Sequence, residues 1–263
     1  MSSLPPNLPP NWNGTSFGSV AQMYDASRPT YPVETVRWML GPPVVDVVDA
    51  AADAALDVVD VGAGTGKMSD VLLALGHRVT AVDPDPGMLD VLTKKLPAAR
   101  SLLGTAEQIP IPDSSVDALT MAQSFHWVDP AVAFVEIARV LRPGGWLGVV
   151  WNERDETDDW TPQISRAWGE RAEAVGASFD REVPEHPLFG PVALHETTHT
   201  QELTTEQLLA LTSSRSYVIA LEPRNREQLL DEIRSLTDRH HHATGHANIT
   251  IRYVARAYRM QKL

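Results

Sequence analysis

The chain contains no cysteine, which excludes disulfides and thiolate metal sites and fits a reducing compartment. It also lacks any apolar stretch long enough to span a bilayer. Its Pro-, Asn- and Ser-rich start has neither the basic nor the apolar region of a secretory leader. The expectation is a soluble, cytoplasmic protein with no membrane partner. Basic runs are equally scarce. No Lys/Arg cluster exceeds two residues, and 22 basic against 34 acidic side chains leave a net charge of −12. Such a surface is a poor partner for nucleic acid. The expected partner is a small molecule, and the expected assembly a monomer or homodimer. What is present suffices for a packed core: 263 residues, 43% of them hydrophobic, fit one large α/β domain, or one domain with a small lid.

The most informative stretch is Val58-Val59-Asp60-Val61-Gly62-Ala63-Gly64-Thr65-Gly66-Lys67. A short apolar run ending in an acid reads as a buried parallel strand, and the glycines turn it into a helix. Free N–H groups at that helix start would lie beneath a ligand. Spacing separates the ligand classes that use such a turn. A dinucleotide fingerprint needs a third glycine where Lys67 stands, and a phosphate-cradling loop needs glycine at Val61 and Ser or Thr at Met68. Neither pattern is met, and D-x-G-x-G-x-G remains.

The pattern around this turn alternates strand and helix. Pro32 starts a helix to about Leu40, and residues 44–55 read as a helix or irregular insert. Met68, Val71, Leu72 and Leu75 keep a helical period. Arg78–Asp83 is a second strand ending in an acid, 23 residues after Asp60, about where α/β folds place the acid that grips a ribose. A carboxylate there can accept both vicinal hydroxyls. Pro84-Asp85-Pro86 opens the next helix, with Met88 facing back. Residues 100–104 and 115–124 read as strands, Ala131–Leu141 as a helix, and Trp146–Trp151 as an apolar strand after Arg142-Pro143-Gly144-Gly145. This βαβαβ order requires a parallel sheet with helices on both faces. Its ligand end would hold Asp60, Asp83, Glu107, Gln123 and Asn152. Further on, residues 153–220 are expected to include a segment covering the substrate. Leu194–Leu203 and Asn248–Tyr253 read as strands, and Thr204 or Thr205 as a helix cap. His195-Glu196-Thr197-Thr198-His199 matches the zinc-protease H-E-x-x-H pattern, which requires a helix. The β-branched surroundings favour a strand instead, and no metal site is expected.

Assembled, these residues resemble class I S-adenosylmethionine-dependent methyltransferases, nearest to the bacterial small-molecule subgroup related to trans-aconitate methyltransferases. The likeness rests on Tyr24…Arg28-Pro29…Tyr31-Pro32, Asp60 to Gly66, Ala81-Val82-Asp83-Pro84, Ala106-Glu107, Gln123-Ser124-Phe125-His126-Trp127, Arg139 to Gly145 and Trp151-Asn152. It implies a Rossmann-like, doubly wound, mostly parallel seven-stranded sheet over residues 44–263. Residues 1–43 would form an N-terminal segment with lid helices. By the same resemblance, Gly62, Ala63, Gly64 and Gly66 pass under the methionine moiety and Asp60 orients its amino group. Asp83 and Pro84 hold the ribose, and Met88 packs on the adenine. Ala106 or Glu107 meets the adenine amine, Gln123 and Ser124 line the cofactor, and Tyr24 and Arg28 reach it from the lid, Arg28 toward its carboxylate.

Methyl transfer from a sulfonium is a single displacement, so alignment carries most of the catalysis. A general base is needed only if the acceptor keeps its proton at neutral pH. His126 is the candidate base or pocket wall, Trp127 and Trp151 offer faces to a planar substrate or the sulfonium, and Asn152 offers a donor to the acceptor. The reading is methyl transfer to the oxygen or nitrogen of a small molecule, such as a carboxylate. The alternatives are a nicotinamide-dependent oxidoreductase, against which Lys67 speaks, and a catalytically silent S-adenosylmethionine-binding protein.

Overall fold

The computed structural model describes residues 28–42, 55–174 and 181–263. Tyr24 and the insert read over 44–55, all but its last residue, lie outside them. Within the described residues, local chemistry sets the element boundaries. Helix α1 (Val33–Met39) follows Pro32. Strand β1 (Asp57–Val61) is β-branched and gives alternate side chains to two faces: Val58 joins Met68, Leu72 and Leu92, whereas Val59 and Val61 join Phe134 and Ile137. Helix α2 (Lys67–Ala74) starts after Gly66 and leads to β2 (Arg78–Asp83). Helix α3 (Pro86–Lys95) combines Pro86 in its first turn with an Asp85 cap, whose carboxylate accepts from the Gly87 and Met88 N–H groups. Then come β3 (Arg100–Leu103), β4 (Val116–Ala122), α4 (Pro130–Val140), opened by an Asp129 cap, and β5 (Leu141–Arg154).

The remaining elements are α5 (Thr161–Ala174), β6 (Ala193–Leu203), α6 (Thr205–Ser213), α7 (Ser216–Ile219), α8 (Pro223–Thr244) and β7 (Ile249–Gln261). Thr204 caps α6 in a reciprocal box with Gln207. All seven strands form one sheet in the order β3-β2-β1-β4-β5-β7-β6. The five from β3 to β5 pair in parallel, so the expected doubly wound α/β architecture is present. Strand order reverses between β1 and β4, the switch point at whose carboxyl side such sheets bind ligands.

The described chain separates into two compact units. A sheet unit holds Thr30–Trp151, Arg181–Thr197 and Ala255–Leu263; the second unit holds Met1–Pro29, Asn152–Asp180 and Thr198–Val254. The sheet unit has two cores. On one face Val36, Met39, Met68, Leu72 and Leu92 pack together, and on the other Phe125, Phe134, Ile137, Leu141 and Trp151. The second unit has its own core of Trp160, Ile164, Trp168, Leu208, Ile233, Ile251 and Tyr253. That unit extends to Val254, where Ile249, Ile251 and Tyr253 alternate into its core.

Two strands run longer than the sequence pattern suggests. Strand β5 starts at Leu141, not Trp146, because Leu141 pairs with Val116 and a register shift before Ala118 absorbs the Pro143-Gly144-Gly145 stretch. Strand β7 continues beyond Tyr253 through buried Ala255 and Ala257. His195 to His199 lie within β6, a strand as expected and not the helix a zinc protease requires. His240, His241 and His242 occupy the last turns of α8, where the His240 ring lies tilted against Trp160 at 4.6 Å.

Candidate functional site

The glycine turn at the end of β1 is built on two carboxylates. Asp60 is fully buried; its Oδ2 accepts from the Ser69 hydroxyl at 2.7 Å and its Oδ1 from the Thr120 hydroxyl at 3.0 Å. It thereby ties β1 to α2 and to β4. Asp83, 7% exposed at the end of β2, accepts from the Gly64 N–H through Oδ2 and from the Asp85 N–H through Oδ1, both at 2.8 Å. Each of its oxygens keeps a lone pair for a further donor. Burial pushes both carboxyls up to about 6, against the hydrogen bonds that favour ionisation.

The glycines differ in what surrounds them. At Gly62, with φ +69°, a Cβ would lie 2.4 Å from the Ser124 Cβ, so the Ser124 side chain packs against the turn, and its hydroxyl donates to the Val61 carbonyl at 3.0 Å. At Gly64, with φ +56°, a Cβ would meet nothing within 4 Å. That is the geometry of a backbone surface open to a ligand. Gly62 and Ala63 donate to the Val82 carbonyl, which fixes the turn against β2. Gly66 is left-handed and precedes α2.

Around this turn the chain places most of the other candidates. Pro84 lies between Asp83 and the α3 cap, and Met88, 4% exposed, sits in the first turn of α3. Ala106 is buried in the turn over residues 105–108, and the Glu107 carboxylate accepts from the Asp129 N–H at 3.1 Å. Gln123 follows β4 with φ +58°, left-handed backbone that a non-glycine residue seldom adopts. Such strain concentrates at functional sites. Ser124, a short 3₁₀ turn over Phe125–Trp127 and half-buried His126 complete this end of the sheet.

His126 is held by a contact between distant residues. The Trp151 Nε1–H donates to its Nδ1 at 3.2 Å, which leaves the proton of a neutral ring on Nε2. Burial, reinforced by the Arg181 charge, pushes its pKa down to about 3. At neutral pH the ring is an uncharged Nε2–H donor. Trp151 itself is fully buried, edge-on to Phe125 and Tyr258. It is therefore core and not the stacking platform expected of it, because its faces are covered and its N–H is spent on His126. Trp127 is exposed and tilted against His126 at 4.7 Å.

Two candidates fall in the second unit. The Asn152 Oδ1 pairs with His199 Nε2 at 2.9 Å, and His199 stacks on Tyr253 at 5.4 Å. Arg28 Nη2 donates to the Ser214 carbonyl at 3.1 Å. Sequence reading missed Ser69, Thr120 and Arg181, none of which belongs to a spaced motif. Among the described residues no cluster of metal-ligating side chains occurs and no helix is long and apolar enough to cross a membrane. The opposite, amino-terminal ends of the strands carry a cleft lined by Asp57, His77, Arg78 and Arg100, where Arg78 and Arg142 pair with Asp57. In this fold that end is remote from ligand chemistry.

A doubly wound sheet whose first turn presents open glycine backbone, with an acid at the end of the second strand, defines a nucleoside-binding α/β protein. Comparison with known proteins narrows the class. Residues 59–149 match the family model described as a methyltransferase domain. The chain is 43% identical over 239 residues to an uncharacterized methyltransferase of Mycobacterium tuberculosis, covering 91% of this chain and 92% of that one. It is 36% identical over 218 residues to an uncharacterized methyltransferase-like protein of Schizosaccharomyces pombe, covering 80% and 82%. A methyltransferase structure from Anaeromyxobacter dehalogenans, described as type II, shares the fold with a TM-score of 0.62 at 21% identity over 88% of this chain and 97% of that one. The chain belongs to the class I S-adenosylmethionine-dependent methyltransferases.

Proposed function

We propose that the protein transfers a methyl group from S-adenosylmethionine to an oxygen or nitrogen of a small molecule, in the manner of the enzymes related to trans-aconitate methyltransferases. The observation that supports the cofactor placement is the pairing of an open Gly64 with Asp83, whose two oxygens each retain a lone pair. When bound, the cofactor supplies an activated methyl on sulfur. The Gly62–Gly66 backbone passes beneath its amino-acid end, and Asp60 keeps that turn in place through Ser69 and Thr120. Asp83 accepts the ribose hydroxyls beside Pro84; Met88, Ala106 and Glu107 border the adenine, and Gln123 and Ser124 line the floor. Tyr24 and Arg28 belong to the segment expected to reach the cofactor, and Asn152 is the proposed donor to the acceptor.

His126 is a wall and a hydrogen-bond donor in this reading, because its Nδ1 is occupied by Trp151 and its ring stays neutral. Exposed Trp127 offers an aromatic face to the acceptor. A curated relative, a malonyl-[acyl-carrier protein] O-methyltransferase of Serratia marcescens, 43% identical over 89 residues, carries an oxygen-directed name and supports an oxygen acceptor. The acidic surface supports a small-molecule partner over nucleic acid, and we propose a cytoplasmic monomer or homodimer.

Calorimetric titration tests this reading. S-adenosylhomocysteine is expected to bind wild type in the micromolar range, to bind Asp83→Ala far more weakly, and to outcompete NADH. Preference for NADH would remove the methyltransferase reading of the turn. A screen of carboxylic acids, phenols and amines with methyl-labelled cofactor then identifies the acceptor atom.

A further inference from the structure

The segment between β3 and β4, residues 104–115, carries Ala106 and Glu107, yet none of its residues belongs to a strand of the sheet. Pro110 and Pro112 have no N–H to offer to a ladder. A side chain fixes the path of this segment instead. Arg139, near the end of α4, uses all five N–H groups of its guanidinium on the segment or on the carboxylate that braces it. Nε donates to Glu136 Oε2 at 2.8 Å. Nη2 donates to Glu136 Oε1 at 2.7 Å and to the Ile109 carbonyl at 2.9 Å. Nη1 donates to the Ile111 carbonyl at 3.0 Å and to Asp113 Oδ1 at 2.6 Å. Glu136 Oε1 in turn accepts from the Ile109 N–H at 2.7 Å. Both polar groups of the Ile109 backbone are therefore held by one arginine–glutamate pair. The hydrogen bond from Arg139 keeps the Glu136 carboxyl below the usual carboxylate range, so the pair is ionised at neutral pH.

The rest of the segment is tied to the same helix. Glu107 Oε1 accepts from the N–H of Asp129, the α4 cap, at 3.1 Å. The Ser114 and Ser115 N–H groups donate to the Arg139 and Val140 carbonyls. The turn over 105–108 is closed by reciprocal bonds of 3.3 Å between Thr105 and Gln108. At Gly104 a Cβ would lie 2.7 Å from the Pro110 Cδ and 3.1 Å from the Val82 Cγ1, so the base of the turn is packed against β2. Ala106, Ile109 and Ile111 are buried in one core with Val82 and Ile137, and all of these residues lie in the sheet unit. A displacement at Ile109 is thus carried into Ala106 and Glu107 through a closed turn. Lysine is no substitute here. A guanidinium is a rigid planar fork and an ammonium a single point, so only arginine spans two carbonyls and two carboxylates at once.

We propose that Arg139, braced by Glu136, is a positioning residue that sets the placement of Ala106 and Glu107 and thereby the selectivity of the site for the base of its nucleoside cofactor. It acts through the backbone of Ile109 and Ile111. The proposal rests on the methyltransferase reading, in which Ala106 and Glu107 border the adenine. It adds a residue outside that border on which recognition of the base depends.

Two measurements on the full-length protein test it. Calorimetric titration compares S-adenosylhomocysteine with S-inosylhomocysteine, in which an oxo group replaces the 6-amino group of the base. Wild type is expected to favour the adenine ligand roughly tenfold to a hundredfold. Arg139→Met is expected to reduce that ratio to about threefold or less, mainly by weakening S-adenosylhomocysteine. Arg139→Lys and Glu136→Gln are expected to fall between. Arg142→Met, which removes an arginine paired with Asp57 and Asp117 at the opposite end of the strands, is expected to keep the wild-type ratio whatever it costs in stability. A merely structural role for Arg139 would weaken both ligands by one factor and leave the ratio unchanged. That result overturns the proposal, as does a wild type that does not tell the two bases apart.

Hydrogen exchange without ligand reads the hold on the segment itself. The Gln108, Ile109 and Ile111 amides are expected to exchange at least about tenfold faster in Arg139→Met, with a smaller change or none in β1. Acceleration spread evenly over the sheet would count against Arg139 as the local anchor. If Arg139→Met does not fold, Arg139→Lys is read in its place in both measurements. Failure of wild type to bind either ligand would sink the methyltransferase reading, while the exchange comparison still decides whether Arg139 holds the turn.

Discussion

Replacing Asp60 by Asn isolates the energetic consequence of burying a charge beneath the glycine turn. In the fold burial pushes this carboxyl up to about 6, from an ordinary aspartate value of 3.8. The native protein therefore holds the proton through a range in which the unfolded chain has released it. The contribution of Asp60 to stability is fully present below pH 3.8 and is lost as pH rises through about 6. Above that range the deficit is roughly 3 kcal/mol, and at pH 4.5 it has shrunk to about 1 kcal/mol. Asparagine keeps the size and the hydrogen bonding, because the Ser69 and Thr120 hydroxyls can rotate to accept from its amide, and it never ionises. The stability difference, Asp60→Asn minus wild type, should thus be about 2 kcal/mol more favourable at pH 8 than at pH 4.5, whatever fixed packing term the substitution adds. For a chain of this size that corresponds to roughly 4–8 °C in Tm. Urea unfolding of both proteins at the two pH values measures it. A difference that does not change with pH, or one that turns against the variant at pH 8, would refute the assignment of a raised Asp60 pKa to burial.

Further outcomes follow from neighbouring residues. Asp83 ionises at about 6; in its proposed role as acceptor of two ribose hydroxyls it works only when charged, so S-adenosylhomocysteine affinity should fall about tenfold per pH unit below that point; calorimetry giving a flat profile down to pH 4.5 would oppose this. Gly62→Ala forces a Cβ to 2.4 Å from Ser124 and should destabilise by roughly 3 kcal/mol or more. Gly64→Ala adds only left-handed strain of about 1 kcal/mol yet should abolish micromolar cofactor binding, a contrast that thermal unfolding and titration read together. His126→Gln should reduce turnover without altering its pH profile between 5 and 8, because the ring is already neutral there; loss of an inflection near 6.5 on substitution would restore His126 as a base.

The parts of the site that were legible in the sequence are those made within one turn of chain. Gly62 to Gly66, Asp83 before the Asp85–Pro86 helix start, and the Thr204 cap each announce themselves by a spacing of a few residues, although the turn's own partners Val82, Asp83 and Ser124 lie far along the chain. Contacts between remote segments left no such trace. The Trp151 to His126 hydrogen bond spans 25 residues and the Thr120 to Asp60 bond spans 60, so the protonation of His126 and the anchoring of Asp60 had no spacing to read. Trp151 illustrates the error that results. An aromatic at the ligand end of a strand looked available for stacking, and only its contacts with Phe125 and Tyr258 reveal a core residue. The continuation of β7 was readable in principle, since Ala255 and Ala257 keep the alternation of Ile249, Ile251 and Tyr253, but alanine is too weak a strand former to announce it.

The backbone passes from one compact unit to the other at Pro29/Thr30, Trp151/Asn152, Asp180/Arg181, Thr197/Thr198 and Val254/Ala255. Neither unit is therefore encoded by a single uninterrupted stretch of the gene. A truncation from either end removes pieces of both, and the second unit cannot be exchanged between relatives as one cassette by recombination at two points. Change in that unit must come by substitution in place or by insertion within its loops, while β5, β6 and β7 keep their register in the shared sheet. Variation in that unit is inherited together with the rest of the chain.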